Sequence, residues 1–78
     1  MDAGSILRKL RLKNGLTLQE VVDMARGQID KTTLSRVERN ERGVSLKTAF
    51  LLSQVYGEDF ETLARRILQL QGVKSAKK

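Results

Sequence analysis

Residues 29–43 read IDKTTLSRVERNERG, the most informative stretch of the chain. Its three large apolar side chains are Ile29, Leu34 and Val37, and four cations and three acids are distributed around them. Leu34 and Val37 have the spacing of residues that share one face of a helix. The stretch therefore predicts a helix with a narrow apolar side and a broad polar and basic side.

The two sides of this helix follow from its geometry. Successive residues are separated by about 100° around an α-helix axis, so the side opposite Leu34 and Val37 carries only hydrogen-bonding and cationic groups. That outer side comprises Thr32, Ser35, Arg36 and Arg39, with Lys31 at its edge. Glu38 falls on the inner side, where a carboxylate needs a cation, and Arg11 is the candidate partner.

A polar and basic helix face of this kind is suited to duplex DNA. An α-helix fits the major groove, where Arg and Lys donate hydrogen bonds to guanine O6 and N7. Ser and Thr hydrogen-bond to several base edges, and a Thr methyl group contacts that of thymine. An ordinary solvated helix is the alternative interpretation of the same pattern.

The rest of the chain predicts four more helices and no strand. Ser5 is the expected cap of helix one, which ends at the NG dipeptide of residues 14 and 15. The motif TLQE at 17–20 has the form of a capping box that begins helix two, and Gly27 ends that helix. Asp30 is the expected cap of helix three.

Helices four and five carry apolar stripes. Ser45 caps helix four, Gly57 ends it, and Asp59 caps helix five. The predicted buried stripe of helix four is Leu46, Ala49, Phe50, Leu51 or Leu52, and Val55; that of helix five is Phe60, Leu63, Ala64, Ile67 and Leu68. We expect an all-α, five-helix domain over residues 1–71, followed by a basic flexible tail at 72–78.

Composition narrows the function classes. The 78 residues suffice for one small domain, and they contain neither Cys nor His. A thiolate metal site and a histidine base are therefore excluded, and no nucleophile–base pair or phosphate-binding loop is evident. We expect no enzyme activity, no metal, no cofactor and no small-molecule substrate.

Charge and hydropathy point to a cytoplasmic protein with a polyanionic partner. The net charge of +6 favours nucleic acid first and an anionic membrane second. No apolar run is long enough for a membrane span or a signal core. Helix one, ILRKLRLK, is amphipathic and basic, but its apolar side is better explained as core, so we expect no membrane partner. Bound to DNA, the protein would be nucleoid-associated.

Ordered motifs over most of the chain resemble one known family. The strings LRKLRLKNGLTLQEV and TTLSRVERNERGVSLKTAFLLSQVYG are similar to the first four helices of the phage repressor and Cro family, the XRE-like helix-turn-helix regulators. The resemblance extends from Ile6 to Leu63. It implies a compact five-helix bundle whose third helix lies in the major groove.

The resemblance also implies roles for individual residues. The base-reading positions of the recognition helix are Lys31, Thr32 and Arg36, with Ser35 as an additional reader. The Arg–Glu pair that is buried in many relatives maps to Arg11 and Glu38. The implied phosphate contacts are Gln19 near the amino end of helix two, Arg39, Asn40 and Arg42 in the loop after helix three, and Lys47 in helix four.

Three features depart from the family pattern. Leu18 occupies a position where many relatives use Gln to bind a phosphate. The turn around residues 26–30 is about two residues longer than the usual tight turn, and its Arg26 could reach a phosphate. Val22 stands where the family prefers Ala, which would separate helices two and three slightly.

The favoured function is a sequence-specific, double-stranded DNA-binding transcriptional regulator, a repressor or Cro-like protein. One recognition helix gives little specificity, so we expect two copies on paired half-sites about 34 Å apart. Because no separate oligomerisation domain is present, we expect a homodimer through helix five, formed by Ile67, Leu68 and Leu70. The alternative is that these three residues close the protein's own core.

A protein-docking module is the second hypothesis. Antitoxins and adaptors use the same fold, and an exposed apolar surface on helix five would suit a protein partner equally well. A protein antagonist or co-regulator of the DNA-bound form is also left open. Salt dependence separates the two functions, because DNA affinity falls steeply with ionic strength and hydrophobic docking does not.

Overall fold

The computed structural model describes residues 2–70, which form five α-helices and no strand. The helices are α1 (Ala3–Lys13), α2 (Leu18–Met24), α3 (Lys31–Glu38), α4 (Leu46–Tyr56) and α5 (Phe60–Leu70). The expected all-α architecture is thus confirmed. The predicted domain end at residue 71 and the basic tail at 72–78 lie outside the described residues. No helix in the described range is long and apolar enough to span a bilayer.

The start of α1 differs from the expectation. Asp2, not Ser5, is the N-cap: its Oδ1 accepts a hydrogen bond from the backbone N–H of Ser5 at 2.8 Å. Helix one therefore begins at Ala3, which is buried in the core. The physical reason is that Asp is as strong a cap as Ser, and the earlier start also buries Ala3 and Gly4.

Most of the other predicted helix ends are confirmed. Thr17 and Glu20 form the capping box, with N···O distances of 2.8 and 3.1 Å. Ser45 accepts from the N–H of Thr48 at 3.1 Å, and Asp59 accepts from the N–H of Thr62 at 3.0 Å. Asp30 is the N-cap residue of α3, and Gly57 ends α4 in the left-handed conformation, with φ of 67°.

The core holds α3 by one side only. α1 contacts α3, α4 and α5, while α2 packs against α3. Leu34 and Val37 are completely or almost completely buried, at 0% and 1% exposure, in contact with an aliphatic cluster that includes Leu7 and Val21. The opposite side of α3 is left free by this packing.

The first turn of α1 lies directly on the carboxyl end of α3. A Cβ atom placed on Gly4 would lie 2.5 Å from the carbonyl oxygens of both Val37 and Glu38. Real Cβ contacts are longer, so the two helices can approach this closely only because residue 4 lacks a side chain. Gly4 therefore fixes the position of α1 relative to the end of α3.

Two predicted apolar stripes include residues that the fold exposes. Leu46 is 74% exposed, and Phe50 and Leu68 are about half exposed. The reason is that α4 and α5 pack against each other and against α1, which buries Ala49, Leu52 and Leu63 but covers only one side of each helix. The Phe50 ring remains in edge contact with that of Phe60, with centroids 5.6 Å apart.

Candidate nucleic-acid interface

The outer side of α3 presents the predicted base-reading residues. Lys31, Thr32 and Arg36 are exposed, and Ser35 is half-buried. Arg36 has no ion-pair partner within residues 2–70. The structure thus brings the four side chains together on one accessible surface of one helix.

The Arg11–Glu38 pair is present on the inner side of α3. The Arg11 Nε and Nη2 atoms donate to the two Glu38 carboxylate oxygens at 2.8 and 2.9 Å; the Glu38 side chain is buried, at 4% exposure, and that of Arg11 is largely buried, at 11%. Arg11 Nη1 donates to the carbonyl oxygen of Leu16 at 3.0 Å. The hydrogen bonds to Glu38 raise the pKa of Arg11 above its ordinary value. This bidentate pair ties α3 to α1 and to the turn that leads into α2.

A shallow hollow of about 260 Å³ lies between the amino end of α2 and the outer side of α3. Its lining residues are Leu18, Lys31, Thr32, Ser35 and Arg39. Because Leu18 forms part of the wall, this part of the surface has no amide side chain to bind a phosphate. The cations Lys31 and Arg39 border a partly apolar depression instead, which suits contact with the edge of a base or a sugar.

The predicted phosphate contacts are exposed, but three of them, Gln19, Arg39 and Asn40, already have partners. Gln19 donates from Nε2 to Asp23 Oδ1 at 3.0 Å. Arg39 donates from Nε to the carbonyl oxygen of Ser35 at 3.4 Å and lies 3.5 Å from Glu41. Such exposed pairs contribute about 0–1 kcal/mol, so both side chains can turn towards a phosphate. Arg42 and Lys47 are exposed as well.

Asn40 has a structural role that sequence reasoning missed. It adopts a left-handed backbone conformation, with φ of 61°, and its Oδ1 accepts from the N–H of Gly4 at 3.1 Å. Hydrogen bonds from the side chains of Ser5 and Asn40 hold the pKa of Asp2 at about 2. The only sequence signal is the residue type, since Asn tolerates the left-handed region better than other residues with a side chain.

The turn between α2 and α3 spans residues 25–30, so α2 ends before its predicted stop at Gly27. Arg26 and Gly27 both have positive φ, at 57° and 72°. Arg26 lines a depression formed with Met24, Leu51 and Val55, separate from the hollow between α2 and α3. Val22 is half-buried against the core.

The predicted dimer residues of α5 are in three different environments. Ile67 is 3% exposed and belongs to the core, because the packing of α5 against α1 and α4 buries it, which favours the alternative that it closes the protein's own core. Leu70 is half-buried against the same core. Leu68 is exposed and, with Leu46, borders an apolar groove of about 120 Å³ between the start of α4 and α5.

No cluster of acidic, His or Cys side chains capable of holding a metal ion occurs among residues 2–70. Residues 7–63, more than half of the chain, match the helix-turn-helix family. This match begins in α1 and ends in the first turn of α5. Comparisons with curated proteins and with solved structures gave no match.

Proposed function

Because the chain belongs to the XRE-type helix-turn-helix family of DNA-binding regulators, we propose that it is a sequence-specific transcriptional regulator of the repressor or Cro-like kind. Its ligand is a double-stranded DNA operator, and α3 is the helix that enters the major groove. We expect it to act in the cytoplasm, where bacterial or phage DNA is found.

The observation that carries this proposal is the outer side of α3. Lys31, Thr32 and Arg36 are exposed there, while the core and the Arg11–Glu38 pair hold the other side of the helix. Eight residues make a rod about 12 Å long, which the major groove accommodates.

The side chains on this face have distinct roles in base reading. Arg36 and Lys31 donate to guanine O6 and N7, and the Thr32 methyl group is suited to the methyl group of thymine. Ser35 hydrogen-bonds at the edge of the hollow between α2 and α3. The cations that flank this face, Arg39, Arg42 and Lys47, together with Gln19, bind backbone phosphates and set the register without reading sequence.

The groove between α4 and α5 supports a homodimer. A two-fold interface is self-complementary, so one surface must supply both a protruding side chain and the hollow that receives it. Leu68 and Leu46 are exposed at the border of an apolar groove whose other lining residues include Ala49 and Ala64. We assign the dimer contact to Leu68, Leu46 and the half-buried Leu70, and two copies would then bind paired half-sites about 34 Å apart.

The dimer is tested by the mass of the protein in solution without DNA. Leu68→Glu buries a charge in the interface, so we expect the mass to fall to that of one 8.8 kDa chain. Leu12→Glu is the matched control, since Leu12 is a similarly exposed leucine on α1, outside the groove. If the wild type is a monomer, or if the two variants have the same mass in solution, the groove is not a dimer interface.

Selection from random duplex DNA at physiological salt tests the function itself. We expect one preferred sequence with two related half-sites, bound by two chains. Binding that is equal on all sequences would contradict sequence-specific regulation. A preferred site bound by one chain would keep α3 as the reading helix and exclude the dimer.

The same groove favours protein docking as a second candidate function. In an antitoxin-like or adaptor role, a protein partner would bind the exposed Leu46, Phe50 and Leu68. A protein antagonist or co-regulator of the DNA-bound form would use the same residues. The salt dependence of DNA binding decides between the candidates. A steep fall in affinity between about 50 and 200 mM salt is expected for DNA recognition through several phosphates, whereas the docking module has no such requirement.

A further inference from the structure

The first turn of α1 is bonded to the loop that follows α3. The N–H of Gly4 donates to Asn40 Oδ1 at 3.1 Å across 36 positions of sequence. This N–H is one of the first helical amides, which have no acceptor within their own helix. Asn40 therefore supplies a cap to α1 from a distant loop, and we call this contact the Gly4–Asn40 clamp.

Both members of the clamp are suited to their places. Asn40 has a φ of 61°, a conformation that Asn tolerates and that directs its side chain to α1. Residue 4 has no room for a side chain, since a Cβ would meet the carbonyl oxygens of Val37 and Glu38 at 2.5 Å. The contact thus depends on the Asn side chain at one end and on a bare backbone at the other.

The loop that the clamp holds carries two of the exposed cations. Arg39 precedes Asn40 and Arg42 lies two positions after it. The Arg39–Glu41 pair is exposed on both sides, so it does little to fix the loop. The Asn40 side chain consequently ties this loop to α1, in addition to the backbone hydrogen bonds by which Asn40 and Glu41 are attached to the end of α3.

We propose that Asn40 is a positioning residue for DNA binding, which acts by tying this loop to α1 so that Arg39 and Arg42 face backbone phosphates. This inference rests on the proposed DNA-binding function and replaces the direct phosphate contact that the family resemblance implied for Asn40. Without the clamp, Arg39 and Arg42 are no longer held towards the phosphates, so fewer phosphates are neutralised in the complex and affinity falls. Base preference is unaffected, because α3 is held independently by the core and by Arg11.

The substitution Asn40→Gly tests the clamp. Glycine accepts the left-handed conformation, and the substitution removes the side-chain acceptor together with the hydrogen bond that Asn40 makes to the exposed Asp2, so the variant should remain folded by circular dichroism. We expect the dissociation constant on the selected site to rise about 3- to 10-fold, the loss expected for one hydrogen bond. The slope of log affinity against log salt should become shallower by about 0.9 for each phosphate that a cation no longer neutralises.

The salt slope separates positioning from direct contact. Asn40 is neutral, so removing a direct bond from its amide to a phosphate would lower affinity and leave the slope unchanged. A shallower slope requires that cations neutralise fewer phosphates, and only Arg39 and Arg42 can supply such cations in this loop. In the Asn40→Gly background, Arg42→Gln should therefore change the slope less than it does in the wild type.

Two further variants complete the test. Gly4→Ala breaks the clamp from α1 and leaves the loop sequence intact, so it should flatten the slope in the same way. Asn14→Gly is the matched control: it removes an Asn side chain that bonds the carbonyl of Leu10 at 2.7 Å, far from the loop, and should leave the slope unaltered.

An unchanged salt slope in Asn40→Gly, with or without weaker binding, would overturn the positioning role of Asn40. If Gly4→Ala does not fold, the comparison of Arg42→Gln in the wild type and in the Asn40→Gly background still tests that role. A wild type with no preferred DNA would instead contradict the proposed function.

Discussion

Arg36 and Glu38 are charged residues of α3 only two positions apart, yet they lie in opposite environments. Arg36 is exposed and has no ion-pair partner within residues 2–70. Glu38 is buried and is bonded through both carboxylate oxygens to Arg11. The difference shows how one short helix divides its charges: the inner one stabilises the position of the helix, and the outer one is available to a ligand. Substitutions on the two sides of α3 should therefore have different consequences.

The largest effect is expected for Glu38→Ala. Removing one partner of a buried ion pair leaves Arg11 uncompensated and should lower the free energy of unfolding by about 3–5 kcal/mol. Urea denaturation, monitored by circular dichroism, measures this free energy of unfolding. Glu41→Ala is the control, because its pair with Arg39 is exposed and should contribute about 0–1 kcal/mol. Equal midpoints for Glu38→Ala and the wild type would show that the buried pair has no stabilising role.

Arg36→Ala should have the opposite profile. We expect a loss of about 1–3 kcal/mol in binding free energy on the selected site, with a relaxed preference at one base pair. Its unfolding free energy should stay within about 0.5 kcal/mol of the wild type, since an exposed side chain without partners is removed. If binding falls by the same factor on every sequence, Arg36 contacts the DNA backbone and does not read a base.

Local signals in the sequence were sufficient to predict most of the fold. The capping box of Thr17 and Glu20 and the stop at Gly57 depend on residues close together in sequence. The orientation of α3 follows from Leu34 and Val37, and the inward position of Glu38 follows from the same periodicity. These features are encoded within one or two helical turns, which is why a single sequence indicates them.

The features that the sequence did not indicate depend on contacts between distant segments. The exposure of Leu46 and Leu68 is decided by which flanks of α4 and α5 their neighbours cover. Periodicity places these residues on an apolar stripe but does not give the width of the covered part. The bond between Gly4 and Asn40 joins residues 36 positions apart, and no local pattern specifies it.

Acid should weaken the helix caps at Asp2 and Asp59. The pKa of Asp2 is lowered to about 2, mainly by a hydrogen bond from the Ser5 side chain. The pKa of Asp59 is also lowered, mainly by a hydrogen bond from the backbone N–H of Thr62. A carboxylate with a lowered pKa in the folded state contributes stability above its unfolded pKa, near 3.8. That contribution is lost as pH falls through the folded pKa.

Melting temperatures between pH 5 and pH 2 test this expectation. Stability should decline in the wild type as pH falls below about 4. Asn is also a good cap but does not titrate, so the Asp2→Asn and Asp59→Asn double variant should decline less over the same interval. Parallel curves for the two proteins would assign the acid sensitivity to other carboxylates.

The smallest effect is expected for Tyr56→Phe, which completes the comparison between buried polar groups with and without partners. The Tyr56 hydroxyl is buried and has no hydrogen-bond partner within residues 2–70. Burial, followed by the nearby charge of Glu38, raises its pKa, so it remains protonated at neutral pH. Removing an unsatisfied buried hydroxyl while keeping the ring should leave the free energy of unfolding unchanged or raise it by up to about 1 kcal/mol. A decrease of more than about 1 kcal/mol in urea denaturation would instead indicate that the hydroxyl bonds to the Arg11–Glu38 pair in solution, and the inner side of α3 would then be held by three polar side chains.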